Sequence, residues 1–306
     1  DNVLLLFHQE SPMRTLRLCT PILLLLIAVT AQAAYTRDQA MTVEQLNGID
    51  IAYTTTGNPD GPAVLMVMGL TGSHRLWGAD LINGLADAGY YVILFDNRDT
   101  GESARLDELG TPTLWWELFK NWAGFEVDAP YSLKDMADDG ISVLDALSVD
   151  QAHIVGASMG GMIAQIIAAE YPERTLSLVS IMSTTGAPHL PPAEEQASDG
   201  LLNIAASEGD ASSQLQEIGI YPEAMPRQLL AIIAAGDRTE QVQTISSRTL
   251  VLHGENDTLL PPPHGEHTHE NISGSRFVIY PGMGHDMPAE VVPLIITDMV
   301  AHFAAE

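Results

Sequence analysis

The amino-acid sequence predicts an α/β fold in which a mostly parallel, doubly wound sheet carries helices on both faces. Short runs rich in Val, Ile and Leu recur along the chain, and each ends in Gly, Asp or Ser. The apolar residues in these runs are continuous and do not alternate with polar ones, as expected of strands covered on both faces. Amphipathic stretches separate the runs, so strand and helix alternate and the strands are expected to pair in parallel.

An antiparallel hairpin is expected to start the sheet, because two strand-like runs within residues 41–56 flank the turn-forming pair Asn47-Gly48. The runs predicted as further strands are 63–69, 91–97, 152–158, 176–183, 249–257 and 276–282. The amphipathic stretches predicted as helices are 81–88, 133–147, 162–171 and 291–303.

Residues 1–33 are predicted to lie outside the fold, as an upstream segment followed by an export signal. Arg14 and Arg17 precede an uncharged apolar run at 21–29, and residues 31–33 read Ala-Gln-Ala, the small-residue pattern of a cleavage site. The run is shorter than the roughly 20 residues of a membrane span, which disfavours an uncleaved anchor. We therefore expect an exported protein, periplasmic or secreted, without stable membrane association once the signal is removed.

The composition is strongly acidic, with 40 Asp and Glu against 13 Lys and Arg and a net charge of −27. Nucleic-acid binding needs clustered cations, so a nucleic-acid partner is excluded, and anionic membrane surfaces are disfavoured. The acidic surface suits either salt tolerance or simple solubility. The only cysteine, Cys19, lies in the predicted signal, so the mature chain has neither disulfides nor a cysteine nucleophile. The sequence does not indicate an oligomeric state.

Residues 34–183 and 245–306 are predicted to form the core, and residues 184–244 a small helical cap inserted between two of its strands. The cap segment is rich in proline and contains a helical stretch at 228–235. A second irregular segment, 106–130, holds three of the four tryptophans. They are expected either to line a substrate pocket or to pack this segment onto the core.

The most informative motif is the G-x-S-x-G sequence at residues 156–160, which follows a predicted strand and leads directly into a predicted helix. This context is typical of a nucleophile placed on a sharp strand-to-helix turn. The turn requires small residues, because side chains at Gly156 and Gly160 would collide with neighbouring elements. Ser158 is therefore the candidate nucleophile.

A serine hydroxyl needs a base within hydrogen-bond reach, and the base needs an acid that orients it. His285 follows the last predicted strand, at the edge of the sheet where Ser158 is also expected. Asp257 ends the preceding strand in an equivalent position, and Glu255 and Asp286 are the rival acids. The chain order Ser, Asp, His is the order found in α/β-hydrolases.

Two backbone N–H groups are expected to bind the oxyanion that forms during attack on a carbonyl. One is that of Met159, directly after the nucleophile. The other is expected to be that of Leu70, in the turn after the first core strand; the alternative is that residues 69–72 form only a tight turn.

Two further polar segments are interpreted as structural. Residues 96–103 are predicted to form a buried turn with a paired Asp and Arg. His264, His267 and His269 have a spacing that metal ligands can show, but they are interpreted as a polar helix start beneath the acid loop. No metal and no cofactor is expected.

These residues resemble the α/β-hydrolase superfamily over essentially the whole predicted mature chain. The sequences at 67–69, 96–103, 263–265 and 281–285 are similar to those of the serine esterase branch that includes aclacinomycin methylesterase. The resemblance implies a cofactor-independent carboxylesterase that works through an acyl-enzyme. It also implies that the histidine-rich segment after Asp257 is a family feature. The cap segment 198–223 is shorter than usual for this branch, so substrate preference does not transfer, and a shallower cap would admit bulkier esters.

The expected function is therefore hydrolysis of carboxylic esters, with Ser158, Asp257 and His285 as the triad and a small-molecule or polymer ester as substrate. Lactonase, thioesterase and aminopeptidase-type amide hydrolysis are the alternatives that use the same residues. A binding protein whose catalytic activity has lapsed is the alternative of another class. It is disfavoured because all three triad residue types and both glycines of the motif are present.

Overall fold

A computed structural model describes residues 34–205 and 209–305, and the predicted upstream segment and export signal lie outside them. The described part contains a sheet with the strand order β1-β2-β4-β3-β5-β6-β7-β8. The first two strands form the predicted hairpin, β2 also pairs with β4 antiparallel, and all other pairs are parallel. The strands are β1 (Thr42–Leu46), β2 (Ile49–Gly57), β3 (Ala63–Val67), β4 (Tyr91–Phe95), β5 (Ala152–Ala157), β6 (Thr175–Ile181), β7 (Thr249–Gly254) and β8 (Arg276–Tyr280).

Helices connect the parallel strands on both faces of this sheet, and the predicted α/β-hydrolase fold is confirmed. Short 3-10 turns occur at His74–Trp77, Asp107–Leu109 and Pro172–Arg174. The α-helices are α1 (Ala79–Asp87), α2 (Leu114–Trp122), α3 (Leu133–Ala146), α4 (Met159–Glu170), α5 (Glu195–Ala205), α6 (Gly209–Glu217), α7 (Met225–Ala235), α8 (Thr239–Val242), α9 (Pro263–Asn271) and α10 (Val292–Phe303).

The core lies in two apolar layers, one on each face of the sheet. Along β3, Leu65 and Val67 belong to one layer, whereas Val64 and Met66 belong to the other. Helices α3 and α4 complete the first layer, and α1 and α10 complete the second. All four of these strand residues are fully buried, which explains why the strand sequences are continuously apolar.

The predicted strands extend up to three residues beyond the observed ones, because the residues after each strand form the loops that carry the polar groups. Helix α4 shows the opposite difference and begins at Met159, three residues before the predicted start. The chain therefore passes from β5 through the single residue Ser158 directly into a helix. This turn is tighter than the hydrophobic periodicity alone indicates.

Helices α5 to α8 all lie between β6 and β7 in the chain, within the segment predicted as a cap. His264 of α9 joins the start of that segment to the core, through contacts of 2.7 Å with the Thr184 hydroxyl and 2.8 Å with the Pro191 carbonyl oxygen. None of the helices in the described ranges is long and apolar enough to cross a bilayer.

The turn at residues 96–103 is buried except for Glu102, and its ion pairs are made with residues outside the turn. Arg98 pairs with Asp139 of α3 at 2.7 Å, and Asp99 pairs with Arg227 of α7 at 2.7 Å. Asp96 instead accepts hydrogen bonds from His74 and from the backbone N–H of Glu102. The turn is thus structural, as predicted, although its charges pair with helices far away in sequence.

His153 and His302 are expected to make the fold sensitive to acid. Burial, and secondarily nearby positive charges, lower the pKa of each imidazole from 6.5 to about 4. His153 is held in place by the Ser177 hydroxyl at 2.8 Å and by the ring of Phe303, whose centroid lies 4.2 Å away. Both rings are therefore neutral in the folded protein at pH values where the unfolded chain already binds protons.

Folding lowers the pKa of both imidazoles, so below about pH 6.5 protonation favours the unfolded chain. The free energy of unfolding therefore has its full value above about pH 6.5 and decreases as the pH falls towards 4. Each histidine is expected to lower the free energy of unfolding by up to about 3 kcal/mol over that range. Urea denaturation at both pH values measures the loss. In His153→Gln the loss should shrink by about 2 kcal/mol, and an undiminished loss in this variant would contradict the assignment.

Candidate active site

Ser158 occupies a strained turn between β5 and α4. Its backbone angles are φ 56° and ψ −121°, a left-handed conformation that non-glycine residues rarely adopt. Among the hydrogen bonds that hold the turn, one runs from the Ser158 N–H to the Ile181 carbonyl oxygen at 2.9 Å and one from the Ser183 hydroxyl to the Ser158 carbonyl oxygen at 2.8 Å. The side chain is thereby fixed at the carboxyl edge of the sheet.

The glycines of the motif are required by close packing around this turn. A Cβ at Gly156 would overlap the backbone of Gly160, and a Cβ at Gly160 would overlap the carbonyl oxygen of Val67 in β3. The start of α4 therefore lies directly against the neighbouring strand. The close packing that the sequence motif predicts around these two glycines is therefore observed.

The structure brings Ser158, His285 and Asp257 together, although they are far apart in the chain. His285 Nε2 lies 2.9 Å from Ser158 Oγ, and His285 Nδ1 lies 2.8 Å from Asp257 Oδ2. His285 is in the loop after β8, and Asp257 is in the loop after β7. Of the rival acids, Glu255 is exposed, and Asp286 accepts a hydrogen bond from the backbone N–H of Gly284.

Asp257 is buried, and its position is determined by the backbone of its own loop. Its Oδ1 accepts hydrogen bonds from the N–H groups of Leu259 at 3.0 Å and Leu260 at 2.9 Å. Its Oδ2 is thereby directed at His285. Asp257 as acceptor selects the tautomer in which Nδ1 carries the proton, so that Nε2 can accept the proton of the Ser158 hydroxyl.

The loop after β3 approaches the nucleophile from the other side. A Cβ at Gly69 would lie 3.0 Å from Ser158 Cβ and 3.5 Å from Ser158 Oγ, so a larger residue there would crowd the nucleophile. Leu70 follows Gly69 and lines the same cavity as Ser158 and Met159. Met159 is the first residue of α4, where a helix leaves its N–H groups without partners inside the helix.

Two buried amides hold this loop in place. The Gln228 side-chain oxygen accepts a 2.7 Å hydrogen bond from the N–H of Thr71, and the Asn97 side chain donates a 2.8 Å hydrogen bond to the Met68 carbonyl oxygen. The Gln228 side-chain NH₂ also donates to the Arg98 carbonyl oxygen at 2.8 Å. Sequence reasoning missed Gln228, because it is one polar residue in a helical stretch and nothing in its local pattern indicates a partner 157 residues away.

Gln228→Leu is expected to lower kcat for an ester substrate by about 10- to 100-fold with little change in KM. The loss of its hydrogen bond frees the loop that carries the Leu70 N–H, and an N–H group that binds an oxyanion, the role predicted for Leu70, acts mainly in the transition state. Steady-state kinetics on a soluble ester measures both constants. Gln165→Leu is the matched control, because Gln165 is an equally buried glutamine of α4 with partners outside this loop. If both variants lose kcat equally, the effect is general destabilisation and the positional argument is wrong.

A cavity of about 440 Å³ opens beside Ser158 and His285. The cap segment contributes Leu201 of α5 and Leu229 and Ile232 of α7 to its wall. Asp286 is the one carboxylate among the described residues that line it. The remaining apolar lining side chains are Met68, Leu70, Leu76, Ala157, Met159, Met162, Met182, Leu259, Leu260 and Met287.

The three histidines after Asp257 have separate partners. His264 contacts Thr184, His267 contacts the Thr185 hydroxyl at 2.9 Å, and His269 contacts the Ser275 hydroxyl at 2.7 Å. Burial lowers the pKa of His264. Across residues 34–205 and 209–305, no group of three or more His, Cys, Asp or Glu side chains is arranged to hold a metal ion.

The three indole rings of segment 106–130 neither line the cavity beside Ser158 nor pack the segment onto the core, so both interpretations made from the sequence are wrong. Trp115, Trp116 and Trp122 are 75%, 58% and 82% exposed, and none of them lines the cavity beside Ser158. Their helix, α2, uses Glu117 as its buried residue and directs the aromatic rings outwards. An amphipathic pattern does not say which face of a helix meets the core, so the sequence could not reveal this orientation.

Comparisons with known proteins agree with this architecture. The family model described as the alpha/beta hydrolase fold matches residues 62–204. The rhodomycin D methylesterase of Streptomyces sp. strain C5 is 28% identical, and the match covers 81% of this chain and 93% of that protein. The rhodomycin D methylesterase of Streptomyces peucetius is 26% identical over the same shares of the two chains.

Among solved structures, the enol-lactonase from Burkholderia xenovorans LB400 superimposes with a TM-score of 0.67. The match covers 86% of this chain and 100% of that chain, at 16% sequence identity. At this identity the likeness concerns the fold alone. It supports the fold described above.

Proposed function

Because the chain has the α/β-hydrolase fold and resembles the aclacinomycin methylesterase-like branch of serine esterases, we propose that it is a carboxylesterase acting through Ser158, His285 and Asp257. The fold and the methylesterase relatives support a hydrolase of the esterase kind in general terms. The observation that carries the finer proposal is the pair of contacts at His285, 2.9 Å to Ser158 Oγ and 2.8 Å to Asp257. A histidine held in this way is oriented to take a proton from a serine.

In the first half of the reaction, Ser158 Oγ attacks the ester carbonyl carbon while His285 Nε2 takes the hydroxyl proton. Asp257 stabilises the imidazolium that forms. The backbone N–H groups of Leu70 and Met159 donate hydrogen bonds to the developing oxyanion. His285 then gives its proton to the departing alcohol, and the acyl group remains on Ser158.

In the second half, water attacks the acyl carbon and His285 takes one of its protons. The tetrahedral intermediate again has its negative oxygen at Leu70 and Met159. The bond to Ser158 Oγ breaks, His285 returns the proton to this oxygen, and the carboxylic acid leaves. No metal and no cofactor takes part in this sequence.

The cavity supports an uncharged, apolar ester as the substrate. Its wall is formed largely by methionine, leucine and isoleucine side chains, and desolvating a charged substrate group there would be costly. Methionine adapts to irregular shapes, so a wall with five of them suits acyl or alcohol groups of varied form. We further propose that the short cap admits bulky esters and that the protein acts after export.

A panel of substrates assayed with the purified protein tests the proposal. It contains p-nitrophenyl esters of short and long acyl chains, lactones, thioesters and aminoacyl amides. Hydrolysis of several esters, absent from Ser158→Ala, is the expected result. Faster turnover of lactones, thioesters or amides would favour the corresponding alternative function. Strict confinement to acetate esters would contradict the preference for bulky substrates.

A further inference from the structure

The outward side of α2 and the loop after it form an unusual apolar surface, which we call the aromatic face. Phe119 and Phe125 are 51% and 67% exposed, beside the three exposed tryptophans. Soluble proteins rarely expose several large aromatic side chains together unless the patch binds something. The aromatic face consists of Trp115, Trp116, Phe119, Trp122 and Phe125.

Contacts between the rings, and hydrogen bonds on the opposite side of α2, hold the aromatic rings in an outward orientation. The rings of Trp116 and Phe119 stack with centroids 5.7 Å apart, and those of Phe119 and Trp122 lie 5.9 Å apart. On the opposite side of the helix, the buried Glu117 accepts hydrogen bonds from Lys120 at 2.7 Å and from the backbone N–H of Asp128 at 2.9 Å. These contacts tie the following loop to the helix.

The aromatic face is larger than the apolar patch of an ordinary monomer, and the charge of the protein argues against a second copy of this chain as its occupant. Its exposed fractions correspond to roughly 700 Å² of surface, given that an aromatic residue offers about 150–250 Å². That exceeds the patch of about 300–600 Å² that a typical monomer shows. One side of a standard interface buries roughly 600–1,000 Å², so the area alone would suffice for a protein partner, but two copies that each carry a charge of −27 would repel one another.

The charges around the aromatic face indicate which surface it fits. The one lysine of the helix, Lys120, pairs with Glu117 at 2.7 Å and with Asp128 at 3.5 Å. Glu108, Glu126 and Asp128 are exposed nearby in the chain, and the whole protein carries a charge of −27. An anionic membrane would be repelled, whereas the outermost group of a phosphatidylcholine surface is a quaternary ammonium cation. Such a cation is attracted both to carboxylates and to the faces of tryptophan rings.

We propose that the aromatic face docks the protein reversibly on a zwitterionic phospholipid surface. Tryptophan is the residue that membrane proteins concentrate at the headgroup level, because its ring is apolar and its indole N–H can bind polar groups. Three of the four tryptophans of the chain lie on this one helix face. Because the docking is reversible, the proposal is compatible with the expectation that the mature chain has no stable membrane association.

The position of the aromatic face connects docking with the candidate active site. Helix α2 packs against α7, and Leu229 and Ile232 of α7 line the cavity beside Ser158. Arg227 at the start of α7 donates a hydrogen bond to the carbonyl oxygen of Gly110, just before α2. When α2 is docked, only α7 separates it from the cavity. This position suits substrates that are apolar esters dissolved in the lipid.

The test is vesicle binding by the purified protein, followed by tryptophan fluorescence. Trp77 is buried and residues 1–33 contain no tryptophan, so a change in emission reports on the aromatic face. Phosphatidylcholine vesicles are expected to shift the emission to shorter wavelength and to carry the protein into the pellet. Phosphatidylglycerol vesicles are expected to do so much less. Because the assay needs no turnover, its result is independent of the proposed esterase activity.

A triple variant should lower co-sedimentation with phosphatidylcholine vesicles by about tenfold or more, since binding scales with the apolar area inserted. Its substitutions are Trp115→Ser, Phe119→Ser and Trp122→Ser. Hydrolysis of a water-soluble ester should stay unchanged. The matched control is Ile279→Ser, Leu294→Ser, which removes two exposed apolar side chains elsewhere and should bind like the wild type. Absence of the emission shift, equal binding by the triple variant, stronger binding to phosphatidylglycerol, or a dimer that the triple variant dissociates would each overturn the proposal.

Discussion

Ser158→Ala is expected to lower kcat for ester hydrolysis by roughly 10⁴- to 10⁶-fold, because the proposed covalent route loses its attacking oxygen. In the proposed mechanism His285 and Asp257 act only through the hydroxyl that the variant lacks, so they cannot compensate. The residual rate reflects what the oxyanion N–H groups and substrate binding contribute alone. Active-site-titrated steady-state kinetics on a p-nitrophenyl ester measures the effect.

Two measurements separate this loss of chemistry from a loss of structure. The unfolding midpoint of Ser158→Ala should match that of the wild type, because the substitution removes one partly exposed hydroxyl and leaves the backbone turn unchanged. Ser177→Ala is the matched control: its hydroxyl is buried on the neighbouring strand and contacts His153. This control should keep wild-type kcat. Equal turnover by Ser158→Ala and the wild type would remove Ser158 from the mechanism.

Arg227→Met is expected to cost about 3–5 kcal/mol of unfolding free energy, because it leaves the Asp99 carboxylate buried without its ion-pair partner. The two side chains form a bidentate pair, with Arg227 Nη2 2.7 Å from Asp99 Oδ1 and Arg227 Nε 2.8 Å from Asp99 Oδ2. Both are almost fully buried. Hydrogen bonding to Asp99 raises the pKa of Arg227, so the guanidinium stays protonated.

The same pair joins the cap segment to the core, so its loss should also affect the candidate active site. Arg227 directly precedes Gln228, which holds the loop that carries Leu70. Urea denaturation measures the stability change, and the double variant Arg227→Met, Asp99→Asn should recover part of it, since no isolated charge remains. A loss below about 1 kcal/mol in the single variant would show that water replaces the guanidinium and that the pair contributes little.

The fold and the meeting of Ser158, Asp257 and His285 could be predicted because each depends on a local signal. Continuous apolar runs indicate buried parallel strands, and loops after such strands meet at one edge of the sheet. A short motif directly after β5 and single polar residues after β7 and β8 are therefore enough to expect the three side chains at that edge. Their catalytic roles stay predictions.

Contacts between distant elements could not be predicted, because no local pattern encodes them. Arg227 and Asp99 are 128 residues apart, and the sequence predicts only that an Asp and an Arg of the turn are paired. Gln228 looks like any polar helix residue in the sequence. The outward orientation of the α2 aromatic rings could not be predicted for another reason. Hydrophobic periodicity identifies an apolar face of a helix, but it does not show that this face is buried.

The central claim is that the hydroxyl of Ser158 becomes a nucleophile because His285, oriented by Asp257, accepts its proton. Intact-mass spectrometry after incubation with an alkyl fluorophosphonate tests this most directly, because the serine oxygen displaces fluoride and keeps the phosphonyl group. We predict one adduct per chain, located on Ser158, absent from Ser158→Ala and formed far more slowly in His285→Ala. An adduct on a different residue, or an unmodified protein that retains its esterase activity, would contradict the account.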